Sequence, residues 1–246
     1  MIASLPMYDT SATRAANDRL WALIREQLGR GPDSLDRESD PHAAWLRPDL
    51  LLSQTCSLPF RTELKGKLKL VGTPDYGIEG CPPGYYRSCV VVHKDDPRQH
   101  LSEFAGATLA RNDIRSQSGW AAIEQELLER GLPFSFAGNV LNTGAHIASA
   151  QTIAKGEADI ASLDAVTWAL LERDTTVTDN LRVLTLTKPT PGLPLITSMT
   201  EDATAIFNAV NTAIAMLSPR DKNQLLLKDL VEIPQDNYLF GYSIPA

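Results

Sequence analysis

The chain has 246 residues, 43% of them hydrophobic and 22% charged, with a net charge of −7 and no long block of one sign. This is the make-up of a soluble globular protein with a large core, which excludes a disordered chain and a small disulfide-stapled fold. The acidic balance excludes an extended nucleic-acid groove, which needs a basic face, but not a pocket for a small anion.

The opening MIASLPMYDT has neither a basic n-region nor an apolar run of about 7–15 residues, so no signal peptide is read there. No later run reaches the length of a membrane span. The expectation is a periplasmic protein if a leader has been removed and a cytoplasmic one otherwise, with no membrane insertion. Cys56, Cys81 and Cys89, with histidines at 42, 93, 100 and 146, follow no metal-ligand spacing, so neither a metal nor another cofactor is expected. Whether Cys81 and Cys89 pair is left open.

In chain order, Ile2–Met7 predicts a strand. A helix follows in which Ala16, Leu20, Leu23, Ile24 and Leu28 share a face, stopped at Gly29. Short apolar runs at Asp49–Gln54, Leu68–Gly72 and Ser88–His93 read as buried strands. A second series begins near Asp95. It comprises a strand at Thr108–Asn112, a helix over SGWAAIEQELLERG, a strand at Ser135–Leu141, a helix at His146–Lys155, a strand at 158–164, a helix at Ala165–Glu172 and a strand at 181–187. KPTPGLP (188–194) is a connector, LITS a return strand, and EDATAIFNAVNTAIAML a helix with Ile206, Ala209, Val210, Ala213, Ile214 and Leu217 on one stripe. Two series of strand–helix units predict an α/β protein of two lobes. Lobe 1 is expected at 1–92 and 193–246, and lobe 2, an insertion, at 93–192.

Three stretches carry chemistry. In SQSG, Ser116, Gln117, Ser118 and Gly119 sit between a strand and a helix. Ordinary N-capping by Ser116 or Ser118 is one reading. An anion cradle is the other, built from helix-mouth N–H groups, two hydroxyls and a glycine that permits close approach. In NTGAHIASAQTIAKGEADIASLD, His146 falls in the first turn of a helix and Asp164 ends the next strand, both at the carboxyl edge where open α/β sheets bind ligands. Asp164 also reads as a cap for the helix after it. In GTPDYGIEGCPPGYYRSC, Tyr76, Tyr85 and Tyr86 occupy a Gly/Pro-rich loop and offer flat surface with a hydroxyl, or simply pack the loop on itself.

SQTC, GTPDY…GYYRS, SQSG, GAH and GEADIASLD, in this order and spacing, resemble the phosphonate-binding periplasmic proteins, the solute-binding subunits of phosphate/phosphonate ABC importers. The likeness runs from about Asp49 to Ser198. It implies a type II periplasmic-binding fold, two lobes of mainly parallel sheet flanked by helices, with hinge strands between. It further implies a non-catalytic protein that carries a small oxyanion, phosphate or an alkylphosphonate, to an ABC permease. Under the resemblance Ser116, Gln117 and Ser118 hold the anion's oxygens, His146 contacts it, Asp164 lies near it, and Tyr85 or Tyr86 is the pocket tyrosine. No clear counterpart exists for the family residue that binds a ligand amine. Two other readings stand beside it: a cytosolic sensory module of the same fold, and a hydrolase using Ser116, His146 and Asp164 as nucleophile, base and orienter. The absence of a GxSxG elbow weighs against the hydrolase.

Overall fold

The computed structural model describes residues 1–133 and 137–239, in two compact units. Unit 1 is Met1–Tyr85 with Pro191–Leu239, and unit 2 is Tyr86–Thr190. The chain begins with β1 (Ile2–Ser4), α1 (Arg14–Leu28), α2 (Pro41–Trp45), β2 (Leu50–Gln54), a single turn α3 (Ser57–Pro59), β3 (Leu68–Asp75) and β4 (Tyr85–Tyr86). Unit 2 holds β5 (Ser88–His93), β6 (Thr108–Arg111), a π-helical turn at Gln117–Ala121 running into α4 (Ala122–Glu129), β7 (Asn139–Asn142), α5 (His146–Ala154), β8 (Ile160–Asp164), α6 (Ala165–Asp174) and β9 (Leu181–Leu186). The chain then passes through β10 (Thr190–Pro191) to β11 (Leu195–Ser198), α7 (Ala203–Met216), α8 (Pro219–Leu225), β12 (Asp229–Val231) and α9 (Gln235–Tyr238). The expected strand at Ser135–Leu141 begins at positions outside the described residues; the part that is described pairs as β7.

Unit 1 is built on a sheet of order β1-β2-β11-β3-β12. The helical stripe read in α1 is buried as Ala16, Leu20 and Ile24, and the one in α7 as Ile206, Val210, Ala213 and Ile214; both join Leu51 and Val71 of the sheet in one core. A second core gathers Trp45, Phe60, Leu50, Ile196 and Tyr238. Leu50 feeds one core and Leu51 and Leu52 the other, the alternation being broken where the β1–β2 register shifts. Each large aliphatic or aromatic side chain so buried contributes about 1.5–3 kcal/mol. Helix α1 ends as the sequence predicts, at Gly29 in the left-handed conformation (φ 64°).

Unit 2 has the order β7-β6-β8-β5-β9. Val90, Leu109, Phe104, Ile123, Leu127 and Ile160 form its core. Strand direction is mostly shared within each sheet, yet the ladders are mixed. In unit 1, β11 runs antiparallel to both β2 and β3. In unit 2, β5 runs antiparallel to both β8 and β9, while β6 is parallel to β7 and β8. β11 returns to insert between the earlier strands β2 and β3, whereas β5 is the first strand of unit 2 and lies between two later ones, β8 and β9.

The crossings fall at Tyr85/Tyr86 and Thr190/Pro191, where β4 and β10 form a two-stranded ribbon. The first lies upstream of the break expected at 92/93, because β5 is fully committed to the sheet of unit 2 and its Val90, Val91 and Val92 are buried there. The second lies two residues before the expected 192/193. Beside the ribbon, the Gly192 N–H donates to the Gly84 carbonyl at 2.8 Å. A Cβ on Gly192 would stand 2.7 Å from that same oxygen, so this approach needs glycine.

Candidate functional site

The SQSG stretch is at once a cap and a turn of unusual geometry. Ser116 has extended backbone angles, and its Oγ accepts the Gly119 N–H at 3.0 Å. The capping reading therefore holds for Ser116. The next residues do not wind as α-helix: Ala121 N–H reaches the Ser116 carbonyl and Ala122 N–H the Gln117 carbonyl, widening the first turn into a π-helix. Such turns are frequent at functional sites, although a second one, at Phe60–Leu64, packs its Phe60 and Leu64 into the core of unit 1. Gly119 is tightly enclosed: a Cβ there would lie 1.8 Å from Asn112 Oδ1 and 3.1 Å from Ser116 Oγ, so the Asn112 side chain or the turn would have to shift.

Ser118 is the centre of the cluster. Its Oγ is 2.9 Å from His146 Nε2. Its backbone carbonyl accepts two hydroxyls, Ser88 Oγ at 3.0 Å and Ser162 Oγ at 2.6 Å. His146 opens α5, and the loop before it is tied to the end of β6 by Thr143 N–H to the Arg111 carbonyl (2.8 Å) and Gly144 N–H to the Asn112 carbonyl (2.9 Å). Register explains the meeting, because β6 and β7 pair in parallel with Arg111 opposite Asn142, so the segments following both strands emerge at one edge. Burial pushes the His146 imidazole down to about 4, against a hydrogen bond with the Ser162 backbone that favours the charged form. At neutral pH the ring is uncharged.

Asp164 ends β8 beside these groups, buried at 2% exposure. Its Oδ1 accepts from Val166 N–H at 2.7 Å and Thr167 N–H at 2.9 Å, so the capping role is present. The nearby arginines are engaged with other groups: Arg111 stacks over Trp120 at 4.3 Å and donates to Asn142 Oδ1, and Arg115 pairs with Asp113. Beside the Asp164 carboxylate, the SQSG turn and α5 bring neutral groups to this edge, a hydroxyl, an imidazole and helix-mouth N–H groups. Among the described residues no cluster of His, Cys, Asp and Glu could hold a metal, and none of the three cysteines is in a disulfide.

The structure thus gathers Ser116, Gln117, Ser118, Gly119, His146 and Asp164 at one edge of unit 2. The tyrosines are distributed otherwise. Tyr76, in unit 1, accepts from Gln54 Nε2 at 3.1 Å and packs edge-on against Tyr8. Tyr85, also in unit 1, accepts from Asn237 Nδ2 at 3.1 Å. Tyr86 opens unit 2 and is 2% exposed. The hydrolase order is altered, since Ser118 rather than Ser116 meets His146 while Ser116 Oγ serves as a cap. Sequence reasoning missed Ser88 and Ser162, although a lone hydroxyl inside each apolar strand run (SCVVVH and IASLD) was the available signal.

The family model described as "ABC transporter, phosphonate, periplasmic substrate-binding protein" matches residues 63–235. No curated protein matches the chain. Among solved structures, PhnD1 of Prochlorococcus marinus MIT 9301 in complex with methylphosphonate is similar at a TM-score of 0.74 and 15% identity, over 96% of this chain and 94% of that one. A binding-protein component of an ABC phosphonate transporter from Pseudomonas aeruginosa is similar at 0.71 and 15%, over 96% and 82%. A histidine kinase sensor domain with similarity to periplasmic binding proteins follows at 0.59 and 14%, over 95% and 98%. These identities carry the fold, a two-lobed type II periplasmic-binding fold.

Proposed function

The chain belongs to the periplasmic substrate-binding proteins of phosphonate ABC transporters, and from that membership we propose that it captures a small phosphorus oxyanion, phosphate or an alkylphosphonate. It hands the anion unchanged to an ABC permease and works in the periplasm. The observation that carries this reading is the Ser118–His146 hydrogen bond at the mouth of a helix whose first turn is widened. Helix-mouth N–H groups and the positive end of the helix dipole favour an anion. A neutral imidazole and the hydroxyl it bonds add directed polar contacts at the same mouth.

Selectivity follows from Asp164. A buried carboxylate at the binding edge repels a fully ionised anion and accepts a hydrogen bond from a protonated one. Hydrogen phosphate and a monoprotonated phosphonate bring that proton near neutral pH, and sulfate does not. A calorimetric panel of phosphate, methylphosphonate, 2-aminoethylphosphonate, sulfate and small carboxylates tests both points. The reading expects binding of a phosphorus oxyanion with sulfate excluded, and relaxed exclusion of sulfate in Asp164→Asn, which keeps an oxygen for the cap. Unchanged selectivity in that variant removes Asp164 from the site. Binding of carboxylates alone overturns the ligand class.

A further inference from the structure

Two hydroxyls from neighbouring strands converge on one peptide oxygen. Ser88 begins β5 and Ser162 lies within β8; the two strands pair directly, with Ser88 opposite Asp164 and Val90 opposite Ser162. Both side chains donate to the Ser118 carbonyl, at 3.0 and 2.6 Å. Ser88, Ser118 and Ser162 are 2%, 3% and 0% exposed, so water does not compete for these bonds. Ser88 is itself fixed, its N–H bound by Thr187 Oγ1 at 2.9 Å and its carbonyl by the Thr187 N–H at 3.0 Å.

The consequence is directional. In a trans peptide the C=O and the following N–H point opposite ways. Drawing the Ser118 oxygen toward β5 and β8 turns the Gly119 N–H away from the sheet, to Ser116 Oγ. It also sets the Ser118 Cα, and with it the hydroxyl that meets His146. A carbonyl oxygen left loose in this turn could swing its negative end toward a bound anion. Resting on the anion-binding reading above, we propose that Ser88 and Ser162 are positioning residues of that site: together they lock the Ser118 peptide so that its hydroxyl stays against His146 and its carbonyl stays turned into the sheet. Ordering the donors during folding removes that cost from binding.

The test uses the full chain with Ser88→Ala, Ser162→Ala, the double variant and Ser88→Thr. Titration with methylphosphonate and with inorganic phosphate reads affinity, and the ring-nitrogen NMR resonances of His146, assigned with His146→Gln, read the Ser118–His146 bond without ligand. The proposal expects up to about a tenfold loss of affinity for each alanine variant, from the usual worth of a buried hydrogen bond. It also expects a displaced His146 resonance in the double variant, and recovery of both signals toward wild type in Ser88→Thr relative to Ser88→Ala. Wild-type affinity in the folded double variant overturns the proposal and leaves the function intact. If the wild type binds neither probe, the functional reading falls, and the His146 resonance alone decides the positioning: displaced in the double variant, it stands, and unmoved, it fails.

Discussion

His146, half-buried, and Glu124, buried, are two titratable groups that pull stability in opposite directions with pH. His146 is held down to about 4 by burial, so below pH 6.5 the unfolded chain takes up a proton that the folded chain refuses. Stability falls as pH drops from about 6.5 to about 4, by up to roughly 3 kcal/mol, and this group costs nothing further below that. Urea unfolding of His146→Gln should flatten this segment of the profile. Glu124, 7% exposed, is pushed up to about 7 by burial, which Arg111 partly opposes. Its protonated form suits the fold, so its stabilisation is present below about pH 4.5 and is lost as pH rises through about 7. Glu124→Gln should therefore raise Tm at pH 8 and leave it unchanged at pH 4; an equal effect at both would show that burial does not shift this carboxyl. Legibility at this scale was uneven. Ser116, Ser118 and His146 stood out because local motif and position coincide. Ser88 and Ser162 did not, because their partner carbonyl lies 30 and 44 residues away, and no local pattern encodes such a pairing.

At the scale of elements, the helix mouth shows what a linear pattern encodes. Apolar periodicity predicted α1 and α7, and the burial of their stripes follows it closely. SQSG likewise announced a helix opening. Its winding as a π turn was not legible, because that depends on what Gly119 packs against. With Asn112 Oδ1 where a Cβ would stand, Gly119→Ala must displace the Asn112 side chain or the turn itself. The expected cost is about 1–3 kcal/mol of stability, the usual range for overpacking, accompanied by weaker anion binding. Thermal unfolding with and without ligand checks both, and an alanine variant of wild-type stability would mean that Asn112 moves aside freely. Strand direction was also hidden. LITS and SCVVVH read as strands, but nothing local in either run marks the antiparallel pairing it makes with partners distant in the chain.

For the whole molecule, alternation of strands and helices in two series, interrupted at Pro/Gly-rich stretches, indicated two α/β bodies. The crossings differ from the expected ones by a few residues at each end, because sheet membership, not composition, decides where a unit begins. The family match over residues 63–235 supports a solute-binding role. The Ser118 hydroxyl is the donor to remove: a hydrogen bond to a charged group is worth about 1.5–3 kcal/mol, so Ser118→Ala should weaken binding by about 10-fold to more than 100-fold.

The most direct measurement is thermal unfolding of ligand-stripped wild type and Ser118→Ala against rising methylphosphonate and phosphate. At about 100 times the dissociation constant, the account predicts about 2.7 kcal/mol of stabilisation of the wild type, a rise of roughly 5–10 °C, shifted to far higher ligand concentration in the variant. No rise with either anion, or the same rise at the same concentrations in Ser118→Ala, would contradict an anion site at this helix mouth.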